Sequence, residues 1–313
     1  YQVYGVDKPR EEYPNLQLCR ESIELLNIDL LDSTAVAKTI QDVSPDEIYN
    51  FAAQPLVQDL NNPESHTFDV NVKIVKNLLD AIYNENIKLF QASSAAMFGH
   101  PAMSPQNENT RCNPVSVYGK SKLDAHTLVK EYRNKGVFAC SAILYNHIAP
   151  RTNPGMVVRK ITQEAARIKL GAAKELRMGN IETFRDWGHA KEFVEAMWLM
   201  LQQEKPKDYV VATGETHTIK EFLDEAFNHI NLKYELVDLK DISEEEADQK
   251  VEELKNQKDK VFVVQHSRFY RPAEVTTLLG DASRAREELG WIPEVNFKEL
   301  VKLMVDNDLN LSK

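Results

Sequence analysis

Short apolar runs alternate with amphipathic stretches through the first half of this chain. The runs at 48–53, 89–93 and 138–145 have the length and composition of buried strands, and helical periodicity fills 70–83 and 117–132. Strands that alternate with helices of this length form a parallel sheet with helices on both faces. The pattern therefore predicts an α/β fold with a doubly wound parallel sheet.

A change of rhythm near Ala149 predicts a domain boundary. A loop-forming stretch at 151–155 follows it and leads into a predicted helix at 156–169. We expect a first domain over 1–148 plus a helix near 187–203, and a smaller α/β domain over 149–186 and 204–313.

Two later segments have clear sequence patterns, and we assign no catalytic or binding role to either. Within 187–201, apolar residues at helical spacing indicate packing against a core: Phe193, Val194, Met197, Trp198 and Leu201. The segment 239–260 is dense in charge and almost free of aromatic residues, which predicts a solvated helix or a mobile excursion.

Composition and charge exclude several classes of partner. The net charge of −10 disfavours nucleic acid, because the average field of the protein repels a polyanion. The three cysteines lie far apart and match neither a disulfide framework nor a zinc site, so we expect no metal and a reducing, cytoplasmic setting. No run approaches the roughly 18 apolar residues that span a bilayer, so we expect no membrane partner.

Tyr118 and Lys122 stand four residues apart at the start of a predicted helix and project from one face. A tyrosine acts as a base at neutral pH only if its pKa falls from about 10, and an adjacent ammonium lowers it by favouring the phenolate. The pair is a candidate proton shuttle, although such neighbours are also common on protein surfaces.

Ser93 and Ser94 end the predicted strand LFQASS. Open parallel sheets bind ligands beyond the carboxyl ends of their strands, so a serine hydroxyl there can bind the substrate oxygen that the tyrosine deprotonates. The alternative is a hydroxyl that only caps the end of the strand.

The segments QASSAAMFG and PVSVYGKSK resemble the Ser/Thr, Tyr and Lys catalytic set of the extended short-chain dehydrogenases. Longer stretches resemble GDP-mannose 4,6-dehydratases: ILYNHIAPR, VVRKITQEAARIKLG, MGNIETFRDWGHAKEFVEAMWLMLQ, YVVATGETHTIKEF and FYRPAEVTTLLGDASRAREELGW. The resemblance implies a Rossmann-type NAD(P)-binding domain, a smaller nucleotide-sugar-binding domain, and Ser94, Tyr118 and Lys122 as catalytic residues.

The resemblance also implies the ligand-binding residues. NADP or NAD would be held by Asp7, Lys8, Asp29, Leu30, Ala52, Ala53, Gln54, Tyr118, Lys122, His147 and Arg151. The GDP-linked sugar would be held by Ser94, Asn146, Lys160, Arg185, Arg271 and Glu274. Arginines suit this role independently, because a guanidinium pairs with phosphate oxygens in two places. The alternative for Arg185 is an ion pair with Asp186.

The sequence departs from this family at its start, where a dinucleotide-binding fold has a glycine-rich turn beside the pyrophosphate. Residues 1–7 instead resemble the second strand, so we expect a first strand and helix ahead of Tyr1. Asp7 suits the ribose hydroxyls of NAD, whereas Lys8 or Arg10 suits the 2′-phosphate of NADP. The choice of cofactor therefore stays open.

A second departure lies in the active-site motif, where Ala96 occupies the position of the family's catalytic glutamate. Dehydration needs hydride abstraction at C4, proton removal at C5, loss of water from C6 and return of the hydride. Alanine cannot titrate, and loss of a positioned acid or base costs about 10²- to 10⁴-fold in rate. The alternatives are a GDP-sugar 4-ketoreductase, 4-dehydrogenase or 4-epimerase, which use only Ser, Tyr and Lys.

A third hypothesis is a non-catalytic binding protein on the same fold, which would neither retain cofactor nor transfer hydride. The family resemblance further implies a homodimer or homotetramer in which the loop at 151–155 reaches a neighbouring subunit. Thr152 replaces a second arginine in that loop. The exact sugar is not set by the sequence.

Overall fold

The structure, a computed structural model, describes residues 1–8, 19–54, 64–257, 260–270 and 278–312. The strands in these ranges are β1 (Tyr4–Asp7), β2 (Glu24–Asn27), β3 (Glu47–Asn50), β4 (Lys88–Ala92), β5 (Ala139–Leu144), β6 (Asn146–Ile148), β7 (Glu175–Met178), β8 (Phe184–Arg185), β9 (Trp187–His189), β10 (Tyr209–Val211), β11 (His217–Thr218), β12 (Glu235–Leu239) and β13 (Phe262–His266). The α-helices are α1 (Ser33–Val43), α2 (Glu64–Ala81), α3 (Val117–Asn134), α4 (Val157–Lys169), α5 (Ala190–Leu201), α6 (Ile219–His229), α7 (Glu244–Lys255), α8 (Ser283–Leu289) and α9 (Phe297–Leu311).

The chain divides into two compact units. Unit 1 contains residues 1–145, 194–211 and 281–291, and unit 2 contains residues 146–193, 212–280 and 292–313. The division differs from the expected domains at 146–148, 187–193, 204–211 and 281–291. Residues 209–211 fall in unit 1 because β10 pairs with β5 and extends its sheet. Which unit binds which ligand stays a prediction.

Unit 1 is built on parallel strands. One sheet has the order β10-β5-β4-β3, and β1 pairs with β2 in a two-stranded sheet. Helices α2 and α3 connect the successive parallel strands β3, β4 and β5, as crossover connections require, and α1 lies between β2 and β3 in the chain. The predicted α/β class with parallel sheets is confirmed.

The core of unit 1 lies between two helices and the sheet. Buried residues on α2 and α3 recur at spacings of four and three, which puts each set on one helical face. These residues are Val75 and Leu79 on α2, with Ile82 just beyond its last residue, and Ala125, Val129 and Tyr132 on α3. Each fully buried aliphatic side chain stabilises the fold by about 1.5–3 kcal/mol, so this interface fixes α3 against the sheet.

The expected core face of 187–201 is wrong at two positions. Phe193, Met197 and Leu201 are buried, but Val194 is 56% and Trp198 is 42% exposed. The buried residues repeat every four positions, whereas 194 and 198 lie about 100° further around the helix. The helix also begins only at Ala190, after β9.

The charge-dense segment forms α7, in agreement with the predicted solvated helix. Ser243 and Glu246 cap its start reciprocally, which satisfies two backbone N–H groups. Only Ala247 and Val251 among the residues of α7 are buried, and they pack with Phe262 and Val264.

Unit 2 contains the parallel sheet β12-β13-β7, the antiparallel pair β11-β8 and the parallel pair β6-β9. Helices α4, α6 and α9 pack on a shared core that includes Ile161, Phe222 and Met304. Arg159 and Asp308 form a buried ion pair at 2.7 Å within this unit. Breaking a buried pair of this kind typically costs about 3–5 kcal/mol.

The described part of the chain holds no cluster of three or more His, Cys, Asp or Glu side chains suited to a metal ion. None of the helices in the same ranges is both long and apolar enough to cross a membrane.

Candidate functional site

Several of the predicted residues of unit 1 lie at or just beyond the carboxyl ends of parallel strands. Asp7 is the last residue of β1, Ala52 lies just beyond β3, and Ser94 lies two residues beyond β4. Parallel strands of one sheet, such as β3 and β4, have their carboxyl ends on the same side, and ligands of open α/β sheets bind there. The roles of these residues in catalysis and binding stay predictions.

Ser94 caps the element that follows β4 and also faces Tyr118, and its role in binding a substrate oxygen stays a prediction. Its Oγ accepts a hydrogen bond from the Ala96 N–H at 3.2 Å and caps the short 3₁₀ helix at 95–98. The same hydroxyl lies close enough to the Tyr118 phenol to oppose the rise of its pKa. Capping fixes the rotamer of the serine, so its hydroxyl is held beside the phenol.

Gly119 allows α3 to approach that 3₁₀ helix closely. A Cβ at this position would lie 2.6 Å from the Ala96 carbonyl oxygen. Real Cβ atoms do not approach a backbone oxygen this closely, so the first turn of α3 can rest against residues 95–98 only with glycine there. This contact brings the neighbouring Tyr118 to Ser94.

Lys122 is buried and bound to the backbone of β4. Its side chain is 4% exposed, and its Nζ donates to the Ala92 carbonyl at 2.9 Å. Burial lowers the pKa of Lys122 to about 8, because the charged form is deprived of water. The Nζ lies 5.7 Å from the centre of the Tyr118 ring.

The sequence predicts that Lys122 lowers the pKa of Tyr118, and this prediction is wrong for the ligand-free chain. Burial raises the pKa of Tyr118, and the nearby Ser94 hydroxyl opposes that rise. The ammonium of Lys122 is directed to the Ala92 carbonyl, so it stabilises the phenolate less than direct contact would.

Asn71 joins the site although the sequence interpretation overlooked it. Its Oδ1 accepts from the Gln54 N–H at 2.7 Å, and its Nδ2 donates to the Ser121 Oγ at 2.9 Å. Ser121 in turn donates to the Tyr118 carbonyl at 2.8 Å. This buried chain links the strand end at Gln54 to the first turn of α3.

Asn50 and Gln91 are a second overlooked pair. The Asn50 amide donates to the Gln91 Oε1 at 2.7 Å, and the Gln91 amide donates to the Ala92 carbonyl at 2.9 Å. The Ala92 oxygen therefore accepts from both Gln91 and Lys122. The Asn50 Oδ1 accepts from the Ala52 N–H at 3.1 Å.

The residues expected at the adenosine end of the cofactor lie at the ends of β1 and β2. Lys8 Nζ lies 3.3 Å from the Asp29 carboxylate, and Asp29 also accepts from the Leu31 N–H at 2.9 Å. The hydrogen bond from Leu31 is the largest cause that lowers the pKa of Asp29, and Lys8 adds to it. Asn77 binds the carbonyl of Leu30.

In unit 2, the predicted residues occupy β6, β8 and α4. Asn146 donates to the Asp186 carbonyl at 3.4 Å, and the His147 ring stacks on Phe193 with centroids 5.2 Å apart. Arg185 Nη1 donates to the Phe184 carbonyl at 2.7 Å. The predicted substrate residues Arg271 and Glu274 lie outside the described residues.

The carboxylate of Asp186 is engaged with other partners. It accepts hydrogen bonds from the N–H and hydroxyl of Thr213 and from the N–H groups of Gly214 and Gly280. Burial raises the pKa of Asp186, and these donors oppose the rise. The carboxylate therefore fixes local backbone geometry within unit 2.

Lys160 lines a cavity of about 580 Å³ in unit 2. Its ammonium lies 3.8 Å from the centre of the Phe269 ring. Other lining cations are Arg167, Lys174, Arg177 and Lys255, against the acids Glu164 and Glu175. Burial lowers the pKa of Lys160. Arg167, Arg177 and Lys255 are paired with carboxylates, so the positive charge that favours an anionic ligand here comes chiefly from Lys160 and Lys174.

A family model and a relative both match nearly the whole chain, and both bear the same name. The family model for GDP-mannose 4,6 dehydratase matches residues 1–304. The chain is similar to GDP-mannose 4,6 dehydratase 1 of Arabidopsis thaliana, with 40% identity covering 100% of this chain and 84% of that protein.

Solved structures share the fold at lower identity. RMD from Pseudomonas aeruginosa complexed with NADPH has a TM-score of 0.78 and 21% identity, covering 99% of this chain and 100% of that chain. UDP-glucose 4-epimerase from Thermus thermophilus in complex with NAD has a TM-score of 0.77 and 22% identity, covering 98% of this chain and 90% of that chain. The predicted Rossmann-type fold is confirmed.

We expect the substitution Gly119→Ala to lower the free energy of unfolding by about 1–3 kcal/mol, the usual cost of overpacking. The new methyl group would displace either α3 or the backbone at Ala96. Urea unfolding measures the change. The matched variant Lys120→Ala, on an exposed residue of the same turn, should stay within about 0.5 kcal/mol of wild type. Equal stabilities of the two variants would contradict the close contact.

Proposed function

Because the chain belongs to the GDP-mannose 4,6-dehydratase family, we propose that it is an NAD(P)-dependent enzyme that converts GDP-mannose to GDP-4-keto-6-deoxymannose. The observation that carries this proposal is that the Ser94 hydroxyl, the Tyr118 phenol and the buried Lys122 ammonium meet beyond the carboxyl end of β4. This arrangement can remove a proton from a sugar hydroxyl.

The described residues fit a nicotinamide dinucleotide. Asp29 and Leu30 follow β2, where the adenosine would bind, and Ala52 to Gln54 follow β3 on the side of Tyr118 and Lys122. The buried ammonium of Lys122 is a donor suited to ribose hydroxyls. NADP or NAD supplies the hydride acceptor for C4 oxidation when bound.

The chain's own residues account for the proton at the sugar C4 hydroxyl. Tyr118 accepts that proton, and Ser94 hydrogen-bonds the same oxygen and keeps it in line with the phenol.

Because burial raises the pKa of Tyr118, the ligand-free chain holds a neutral phenol at pH 7. The rate should therefore rise with pH as the phenolate forms. Lys122, with a pKa of about 8, loses its supporting charge above that value.

A second candidate function rests on Ala96. Its side chain is half-buried beside Ser94 and carries no group that can move a proton at C5. A GDP-sugar 4-ketoreductase, 4-dehydrogenase or 4-epimerase needs chemistry only at C4. Such an enzyme would work with Ser94, Tyr118 and Lys122 as they stand.

Product analysis in deuterated water separates the two candidates. We expect incubation with GDP-mannose and NADP or NAD to give a product that has lost water and carries deuterium at C5, read by mass spectrometry and NMR. Oxidation or epimerisation at C4 of GDP-mannose without loss of water would favour the second candidate, and so would unchanged GDP-mannose alongside reduction of a GDP-linked 4-keto sugar by NADPH or NADH. A sample that neither retains cofactor nor transfers hydride would support a non-catalytic binding protein.

We expect Ala96→Glu to accelerate the loss of water by about 10²- to 10⁴-fold, because it adds an acid or base beside the reacting sugar. The matched control is Ala96→Gln, which has nearly the same shape and cannot titrate. Rates of product formation, measured for both variants, should rise for glutamate alone. Equal rates would show that position 96 does not deliver the C5 proton step.

The substrate's nucleotide would bind through unit 2. The Lys160 ammonium lies over the Phe269 ring at the cavity, and the negatively charged pyrophosphate of a GDP-sugar would pair with it. Asn146 and Arg185 supply further donors in the same unit.

We expect Lys160→Met to raise the Kd for GDP by about 10-fold or more, because a hydrogen bond to a charged group is worth about 1.5–3 kcal/mol. Titration calorimetry with GDP measures the change. Lys169→Met is the matched control, since Lys169 is exposed on the same helix and does not line the cavity. Equal affinity of the two variants would remove Lys160 from the binding site.

We also propose a homodimer or homotetramer with the loop at 151–155 at its contact. Thr152 Oγ accepts from the Ala149 N–H at 2.9 Å, so this hydroxyl serves its own turn, and Arg151 is exposed. We expect light scattering to give twice or four times the chain mass. A mass equal to one chain at all concentrations would contradict the proposal.

A further inference from the structure

Two buried amides end the ladder between β3 and β4. Asn50 and Gln91 are register partners in these neighbouring parallel strands, and they are 3% and 2% exposed. A buried amide lowers stability unless its donors and acceptors are paired. Apolar residues of similar volume would fill the same space, so the pair calls for an explanation beyond packing.

The backbone at each end fixes the direction of the hydrogen bonds. The Ala52 N–H can only donate, so it must meet the Asn50 Oδ1, at 3.1 Å. The Ala92 carbonyl can only accept, so it must meet the Gln91 Nε2, at 2.9 Å. The direction of the remaining bond, from Asn50 Nδ2 to Gln91 Oε1, is then fixed as well. Neither amide can be reversed without losing a backbone partner.

The Ala92 carbonyl is also the acceptor for Lys122 Nζ, at 2.9 Å. A carbonyl oxygen has two lone pairs, and Gln91 and Lys122 use both of them. An ammonium on a four-carbon stem has little directional preference of its own. A carbonyl with one lone pair already taken leaves the lysine a single direction of approach.

We propose that Asn50 and Gln91 are positioning residues for Lys122, which hold the Ala92 carbonyl that binds its ammonium and tie it to the strand end at Ala52. The inference rests on the proposed function, because Lys122 acts there beside Tyr118. The hydrogen bonds through Asn50 and Gln91 would connect the Ala52 to Gln54 segment rigidly to Lys122. The segment and the lysine would then move together.

A purely structural pair makes a different prediction. Loss of either amide would then reduce stability and leave the turnover of the folded enzyme and the protonation of Lys122 unchanged. Gln106 offers a matched control in unit 1, because it is equally buried and its amide reaches Tyr145 and the Met103 carbonyl instead.

The first experiment compares Gln91→Met with Gln106→Met in steady-state kinetics with GDP-mannose and cofactor, at a temperature where both remain folded. We expect Gln91→Met to lower kcat about 10- to 100-fold with little change in KM, since a small misplacement of a catalytic group costs up to about 10²-fold. Gln106→Met should keep its kcat. The double variant Asn50→Leu with Gln91→Met should be no slower than Gln91→Met alone, because the chain is broken once. Equal kcat for Gln91→Met and Gln106→Met, or independent additive losses in the double variant, would overturn the proposal.

The second experiment needs no substrate, so it distinguishes failure of this inference from failure of the proposed function. Lysine ¹⁵Nζ NMR follows the protonation of Lys122 in the purified chain, whose pKa lies at about 8. Gln91→Met removes the donor that holds the Ala92 carbonyl without adding a charge, and should lower the titration midpoint of Lys122 because its ammonium loses a fixed acceptor. The control Gln106→Met should leave the midpoint in place. A midpoint unaffected by Gln91→Met would show that Gln91 does not act on Lys122.

Discussion

The hydrogen bond from Lys122 Nζ to the Ala92 carbonyl is the interaction on which the rest of the site depends. An ammonium removed from water is costly unless it is paired, and the backbone oxygen at the end of β4 provides that partner. The bond joins α3 to the sheet at the point where Ser94 and Tyr118 meet. Gly119 allows the same helix to rest on residues 95–98, so the positions of all three side chains follow from one contact between helix and strand end.

These features support chemistry at a sugar C4 hydroxyl, and position 96 bears on the later proton transfer at C5. Oxidation at C4 requires a base and an oxygen-binding hydroxyl, the roles that we propose for Tyr118 and Ser94. Elimination of water requires a further proton transfer at C5, for which Ala96 has no group. Membership in the family favours the full dehydration, and the local composition of the site favours the shorter reaction. The two reactions differ in their need for an acidic or basic side chain at position 96, and the other residues proposed for them are the same.

The sequence predicts those parts of the fold that depend on local periodicity. Helices α2 and α3 follow from repeats such as Val75 and Leu79, and Ser94 follows from its place after a strand. Helical spacing does not predict how many positions around a helix are buried. It groups Trp198 with Met197, yet Trp198 is exposed and Met197 is buried.

The polar network of the site could not be found from local pattern. Asn50 and Gln91 lie 41 positions apart, and only the pairing of β3 with β4 brings their amides together. Asn71 stands in an apolar helical face, where a polar residue signals a buried hydrogen bond but not its partner. The acceptor for Lys122 is a backbone carbonyl, so no side-chain motif records it.

The most direct test of the proposed role of Tyr118 is a single-turnover measurement of hydride transfer, in which Tyr118→Phe is compared with wild type after GDP-mannose binding has been verified for both. We expect wild type to reduce the nicotinamide and the variant to do so about 10²- to 10⁴-fold more slowly, because its ring cannot accept the C4 hydroxyl proton. Equal rates of reduction in the two proteins would show that Tyr118 is not the base.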